Sequence, residues 1–236
     1  MTVKDSLCIA LDGTDREWIL STALALADLT GWLKIGLEAF VAHGPQLVTD
    51  VARLGPRVFL DLKLHDIPAT VERAAANCAS CGAAMFTVHA GGGRTMLEAA
   101  VSGARTGAGF DPPKVVAVTL LTSLDEDALA ELGIESEMED LVLKWARLAR
   151  RAEVSGVVAS AREAAALRES CGDEFVLVTP GIRPADAAAD DQRRVVTPSE
   201  ALAAGADILV VGRPVTRAAD PAAAVGNLLA EMSAAR

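Results

Sequence analysis

The chain has 236 residues, a length that fits one α/β barrel or two small domains. Its formal net charge of −10 and its aromatic content of 3% argue against general binding to nucleic acid or to anionic membranes, which need a basic surface. No stretch reaches the roughly 18 uncharged apolar residues of a membrane span. The first residues carry no secretion signal, so we expect a soluble, cytoplasmic protein.

Short apolar runs recur eight times along the chain, and a helical stretch follows each of them. The predicted strands are residues 7–12, 32–37, 57–62, 84–90, 114–121, 156–160, 175–181 and 206–212. Alternating strands and helices imply parallel strands joined by right-handed crossovers. Eight such units predict an α/β fold, a closed (β/α)₈ TIM barrel that forms a single domain over residues 1–236. A doubly wound open sheet is the alternative.

Charged residues fall on the inner face of the first three predicted strands. Side chains alternate across a strand, which directs Asp12, Lys34, Asp61 and Lys63 towards the barrel axis. The same alternation directs Leu37, at the end of the second strand, towards the helices. Charges inside a barrel are costly unless they pair, and barrel active sites form at the C-terminal ends of strands. These four residues, called here the charge cluster, therefore predict a catalytic centre.

The third strand carries the pattern D-x-K-x-x-D, formed by Asp61, Lys63 and Asp66. Neighbouring carboxylates favour the protonated lysine, which is a poor nucleophile but can donate a proton to a carbanion. A carboxylate here would also repel an anionic group on the substrate, and the repulsion would ease if that group left as carbon dioxide. This destabilisation of the bound substrate is a hypothesis.

The seventh and eighth strands end in sequences suited to bind phosphate. Thr179 to Arg183 reads TPGIR, and Val210 to Pro214 reads VVGRP. Glycine lets the backbone approach an anion, and arginine supplies forked donors. Barrels often bind phosphate at these two strand ends, so we predict a phosphate end that contains Gly181, Arg183, Gly212 and Arg213. The following segment, residues 184–192, is interpreted as a lid.

Together these residues resemble the orotidine 5′-phosphate decarboxylase family in its compact bacterial form. The resemblance extends along nearly the whole chain. The matching strings are residues 11–12, 33–36, 59–70, 88–90, 121–123, 179–183, 191–194 and 211–214. It implies a carboxy-lyase that converts orotidine 5′-monophosphate to uridine 5′-monophosphate, the last step of pyrimidine nucleotide synthesis, with no metal and no organic cofactor.

The resemblance also implies roles for individual residues. Lys34, Asp61, Lys63 and Asp66 would form an alternating charge network in which Lys63 protonates C6 of the substrate. Asp66, with Ile67 and Thr70, would complete the active site of a second subunit, so the working unit would be a homodimer. Asp12 and Lys34 would contact the ribose, and Thr122 would contact the pyrimidine. Gln192 would contact both base and phosphate. The phosphate would also be bound by Arg183, Gly212 and Arg213, and Pro180 would be a further substrate contact.

Three rival functions remain open at this stage. A magnesium-dependent decarboxylase of a 3-keto sugar-acid phosphate, such as 3-keto-L-gulonate 6-phosphate, shares the D-x-K-x-x-D pattern, but there the metal would compete with lysines for the carboxylates. An isomerase or synthase on a phosphate-binding barrel would share only the phosphate end. A catalytically inactive ligand-binding barrel would not need the complete charge cluster.

Overall fold

The computed structural model describes residues 2–184 and 196–235, and its strands form one closed, parallel barrel in chain order. This confirms the predicted (β/α)₈ fold and excludes the open sheet. The strands are β1 Leu7–Leu11, β2 Trp32–Gly36, β3 Arg57–Leu64, β4 Ala83–His89, β5 Lys114–Val118, β6 Gly156–Val158, β7 Val176–Thr179 and β8 Ile208–Val211.

Helices surround the barrel. They are α1 Arg16–Leu26, α2 Leu37–Ala52, α3 Pro68–Ser80, α4 Gly93–Ala108, α5 Glu126–Glu131, α6 Met138–Arg151, α7 Ala164–Cys171, α8 Pro198–Ala203, α9 Arg213–Thr216 and α10 Pro221–Ala234. Asp15 and Asp220 cap the first turns of α1 and α10 through their side chains. Among the described residues, no helix is both long enough and apolar enough to cross a membrane.

Most predicted strands end later than the strands of the structure, because the chain turns towards the next helix before the predicted end. The prediction for Leu37 is wrong for this reason. Leu37 is the first residue of α2, and it is 58% exposed instead of packing between strand and helix. Strand β3 is the exception, since it continues two residues beyond its predicted end, to Leu64. This extension carries Lys63 into the barrel mouth.

The alternation of side chains divides the core into two layers. On each strand, apolar residues that face inwards fill the barrel, and the residues that alternate with them pack against the helices. The inner layer consists of Cys8, Ala10, Trp32, Phe59, Met85, Val116, Val178, Ile208 and Val210. Because this layer fills the lower part of the barrel, the charged inner residues lie above it, at the C-terminal mouth.

The opposite end of the barrel is closed by the N-terminal segment. A short 3₁₀ helix, Val3–Ser6, lies there, and the indole nitrogen of Trp32 donates to the carbonyl of Asp5 at 3.1 Å. Arg57 binds the Asp5 carboxylate at 2.9 Å and stacks 4.2 Å above the Trp32 ring. These contacts keep the floor of the barrel separate from its functional mouth.

Candidate active site

The backbone of β3 departs from a regular strand where its charged residues lie. Leu60 pairs with Phe86 and Leu64 pairs with Val88, so β3 advances four residues where β4 advances two. Within this bulge Lys63 has φ 54°, a left-handed conformation that is strained for a lysine. Its amide donates to the side-chain oxygen of Thr87 at 2.8 Å, which gives the irregular backbone a partner.

Asp61 lies at the centre of the charge cluster. Both of its carboxylate oxygens lie 2.8 Å from Nζ of Lys63, and Oδ2 lies 3.7 Å from Nζ of Lys34. The Thr87 hydroxyl donates to Oδ1 at 3.0 Å. Burial opposes ionisation, but the two lysine charges and the hydrogen bonds from Lys63 and Thr87 outweigh it, so the pKa of Asp61 is lowered. Asp61 is therefore a carboxylate near neutral pH.

Lys34 joins the charge cluster to the first strand. Its Nζ lies 3.0 Å from Oδ1 of Asp12, and its side chain is only 11% exposed. Burial opposes its charge, but Asp12 and Asp61 outweigh burial and hold the pKa of Lys34 above its usual value. Gly36 leaves room for this pair, because a Cβ at that position would lie 3.0 Å from Asp12 Oδ1 and 3.1 Å from Lys34 Nζ.

Asp66 is separated from the residues with which the sequence pattern groups it. Its side chain is exposed, and Oδ1 accepts the Ile67 amide at 2.6 Å. Within residues 2–184 and 196–235, its carboxylate forms no ion pair with Lys63 or Lys34. Ile67 is 66% exposed and Thr70 is half-buried in the first turn of α3. One chain thus brings together Asp61 and Lys63 but not Asp66.

Two adjoining cavities open at the barrel mouth. The larger, about 720 Å³, is lined by the phosphate end together with Asp12 and Trp18. The smaller, about 140 Å³, contains Asp61, Lys63 and Thr122. Lys34, Pro180 and Val210 line both cavities. Arg183, Gly212 and Arg213, predicted to contact the phosphate, and Thr122, predicted to contact the base, therefore line two adjoining cavities with Lys34 between them.

The phosphate end is built from two strand–turn junctions. Gly181 follows β7 and has φ 78°, a left-handed conformation that glycine adopts without strain. Arg183 is only 6% exposed and lines the larger cavity, as Arg213 does in the first turn of α9. Gln192 and nearly all of the predicted lid, residues 184–192, lie outside the described residues.

Two histidines lie beside the charge cluster. The rings of His65 and His89 are 5.4 Å apart, at the ends of β3 and β4. Burial, followed by the neighbouring His65 and Lys63, lowers the pKa of His89. His89 is therefore neutral at pH 7. In the described part of the chain, no three His, Cys, Asp or Glu side chains are grouped so as to hold a metal ion.

Sequence reasoning missed two residues of this site. Thr87 lies in an apolar strand, where threonine is a common β-former, and Gly36 precedes a helix, where glycine is unremarkable. The one available signal is that Thr87 interrupts an otherwise apolar run opposite Asp61 and Lys63. Recognising it requires the register of β3 against β4, which the bulge shifts.

Comparison with known proteins agrees with this geometry. Residues 5–228 match the family described as Orotidine 5'-phosphate decarboxylase / HUMPS family. A protein named orotidine 5′-phosphate decarboxylase in Moorella thermoacetica is 50% identical over 236 residues, which cover 98% of this chain and 94% of the relative. A protein of the same name from Anaeromyxobacter sp. (strain K) is 50% identical over 230 residues, which cover 98% of this chain and 99% of the relative.

Solved structures agree as well. The crystal structure of orotidine 5′-phosphate decarboxylase from Lactobacillus acidophilus superposes with a TM-score of 0.85 at 38% identity, covering 96% of this chain and 98% of that one. A crystal structure of an uncharacterized conserved protein from Geobacillus kaustophilus gives the same TM-score at 39% identity, covering 96% of this chain and 99% of that one. The family that the sequence strings predict is confirmed: this chain belongs to the orotidine 5′-phosphate decarboxylase / HUMPS family.

Proposed function

We propose that this chain decarboxylates orotidine 5′-monophosphate to uridine 5′-monophosphate and carbon dioxide, with Lys63 as the proton donor. The observation that carries the proposal is the contact of Lys63 Nζ with both oxygens of Asp61, at 2.8 Å, at the wall of the smaller cavity. In this arrangement the Lys63 amino group donates to a carboxylate, which suits a proton donor. Lys63 therefore acts as an acid and not as a nucleophile.

The reaction requires one bond to break and one proton to move. The bond between C6 and the carboxylate carbon breaks, its electron pair stays on C6, and neutral carbon dioxide leaves. A proton from the Lys63 ammonium then forms the new C–H bond at C6, and Lys63 recovers a proton from solvent. The Asp61 carboxylate repels the substrate carboxylate before this step, and the repulsion ends when carbon dioxide departs.

The remaining cavity residues hold the substrate. Arg183, Arg213 and the Gly212 backbone bind the phosphate, and this is supported by their place along the larger cavity. Asp12 and Lys34 bind the ribose hydroxyls from the boundary between the cavities. In the smaller cavity Thr122 contacts the pyrimidine edge, and Pro180 packs beside it. Gln192 is proposed to contact base and phosphate on the sequence resemblance alone.

The same proposal makes the working unit a homodimer with shared sites. Asp66 and Ile67 are exposed, and they come directly after the strand that carries Lys63. Exposed residues at a barrel mouth can reach the mouth of a facing subunit, and a two-fold axis would make the exchange reciprocal. Asp66, Ile67 and Thr70 then complete the partner's site. A single domain over residues 1–236 and a cytoplasmic location are also proposed, on the sequence alone.

Turnover of orotidine 5′-monophosphate, followed by the fall in pyrimidine absorbance, tests the activity. The purified chain is assayed before and after treatment with EDTA. We expect the same rate in both samples. A rate that disappears with EDTA and returns with Mg²⁺ would favour the metal-dependent rival, and no turnover in either sample would refute the proposal.

Mixing two inactive variants tests the shared site. Lys63→Ala and Asp66→Asn are each purified, unfolded together in equal amounts and refolded. If Asp66 serves the partner's site, half of the dimers are mixed and each mixed dimer contains one intact site, so about a quarter of wild-type activity returns. If Asp66 serves its own chain, every site in the mixture contains one lesion, and no activity returns.

A further inference from the structure

In the part of the chain that the structure describes, the Thr87 side chain contacts both the backbone of Lys63 and the carboxylate of Asp61. It lies in β4 and is completely buried. Its Oγ1 accepts the Lys63 amide at 2.8 Å and donates to Oδ1 of Asp61 at 3.0 Å. One hydroxyl thus connects the chain conformation at the lysine to the charge of the aspartate.

The first half of this bridge supports a strained backbone. Between Leu60 and Leu64 the pairing of β3 with β4 is interrupted, and Lys63 takes φ 54° inside the interruption. A buried amide without a partner is costly, and the left-handed conformation adds to that cost. The Thr87 hydroxyl supplies the missing acceptor. It therefore stabilises the conformation from which the Lys63 side chain turns back to Asp61.

The second half of the bridge follows from the chemistry of a hydroxyl. Because Oγ1 accepts from the Lys63 amide, its single proton is free to be donated, and Asp61 is the acceptor within reach. An ionised carboxylate can accept this hydrogen bond at either oxygen. A protonated carboxyl group is itself a donor, so its proton would compete with the hydroxyl proton. The bridge thus favours the ionised form of Asp61 and holds one oxygen in a fixed direction.

We propose that Thr87 is a positioning residue of the decarboxylation site, which sets the geometry of Lys63 against Asp61. The inference rests on the proposed function of Lys63 and Asp61. It assigns Thr87 no contact with substrate. Its effect passes through the two groups it binds, so removing the hydroxyl should slow the chemical step more than it weakens substrate binding.

Several other groups face Asp61 and contribute to its ionisation. Lys34 on β2 and Lys63 on β3 favour the carboxylate, Asp12 acts through its pair with Lys34, and Cys8 and His89 lie nearby. Burial raises the pKa of the Cys8 thiol and, with the neighbouring His65 and Lys63, lowers that of His89, so neither group places a negative charge beside Asp61. Removing the Thr87 hydroxyl changes none of these charges.

The test is Thr87→Val, which keeps the shape of the side chain and removes the hydroxyl. We expect kcat to fall roughly 10- to 100-fold, because small misplacements of reacting groups have effects of this size. KM should change by less than about threefold. The acid limb of the kcat profile should move to higher pH, since Asp61 loses a bond to its charged form. Thr87→Ser should restore both kcat and the acid limb.

Thr30→Val is the matched control. Thr30 is also buried, and its hydroxyl also has two hydrogen-bond partners, since it can donate to the carbonyl of Leu7 at 2.8 Å or of Trp32 at 3.1 Å. It lies at the floor of the barrel, away from the charge cluster. A general loss of stability would appear in both variants, whereas the change in kcat and the shift of the acid limb should appear only in Thr87→Val.

The outcomes separate the two proposals. If the wild-type chain does not turn over orotidine 5′-monophosphate, the proposed function fails. If the wild type is active and Thr87→Val keeps its kcat and its acid limb, the positioning role alone is refuted. Should circular dichroism show Thr87→Val to be unfolded, Thr87→Cys replaces it, because a thiol is a weak donor and acceptor. A folded Thr87→Cys with reduced kcat then supports the role, and one with wild-type kcat refutes it.

Discussion

The two ends of the barrel mouth are built in different ways. The charge cluster uses side chains from three neighbouring strands or their ends, and it lies beside a cavity of about 140 Å³. Within it, the side chain of Asp61 is 15% exposed and that of Lys34 is 11% exposed. The phosphate end uses turns and arginines after β7 and β8, around a cavity of about 720 Å³. A tight, fully paired cluster suits chemistry, and an open, cationic site suits binding of a remote group. Under the proposed function, the mouth would separate groups that act on the reacting carbon from groups that supply binding energy.

Lys63→Ala should produce the largest effect. It removes the proposed proton donor and leaves the largely buried Asp61 with Lys34 as its ion-pair partner. We expect kcat to fall by roughly 10⁴-fold, the upper range for general acid catalysis. The absorbance assay measures the fall, and Lys114→Ala, at the exposed start of β5, is the control. Retained turnover in Lys63→Ala would remove Lys63 from the mechanism.

Arg213→Ala should act on binding instead of chemistry. Losing one charge-assisted bond of about 1.5–3 kcal/mol should raise KM by roughly 10- to 100-fold. The dephosphorylated substrate, orotidine, is the control, since the variant and the wild type should process it at equal rates. A variant that is equally impaired on both substrates would show that Arg213 does not recognise the phosphate.

Gly36→Ala should have a smaller effect and should perturb only the edge of the charge cluster. The added methyl would lie 3.0 Å from Asp12 Oδ1 and 3.1 Å from Lys34 Nζ, so both side-chain ends must shift slightly. We expect kcat/KM to fall about 3- to 10-fold. Gly226→Ala, in α10, is the control because its methyl meets no atom within 4 Å. Equal kcat/KM in the two variants would mean that the space at Gly36 has no role.

Arg57→Met should leave activity unchanged and lower stability slightly. It removes the ion pair with Asp5 and the stacking on Trp32 at the floor of the barrel. The side chain is 43% exposed, so the free energy of unfolding should fall by only about 1 kcal/mol. Urea unfolding and the absorbance assay measure the two quantities. A lower kcat would show that the floor and the mouth are coupled.

Sequence periodicity predicted much of the site because charged residues inside a barrel are exceptional. Alternation correctly assigned Asp12, Lys34 and Asp61 to the inner face, and in the structure successive ion pairs connect Asp12 to Lys34, Lys34 to Asp61 and Asp61 to Lys63. It was wrong for Leu37, since a strand's end depends on how the chain turns into the next helix. The proposed roles of these residues in catalysis and of Asp66 in a second subunit remain predictions.

By itself, the sequence determined the eight-fold alternation of strand and helix, the charged inner positions and the family. These are local patterns, and the period of two in a strand makes them readable without a structure. Only the tertiary structure decided the bulge in β3, the left-handed backbone of Lys63 and its bond to Thr87. The physical reason is that strand register depends on residues distant in the chain, so the partner of a buried amide becomes known only when β3 and β4 are placed side by side.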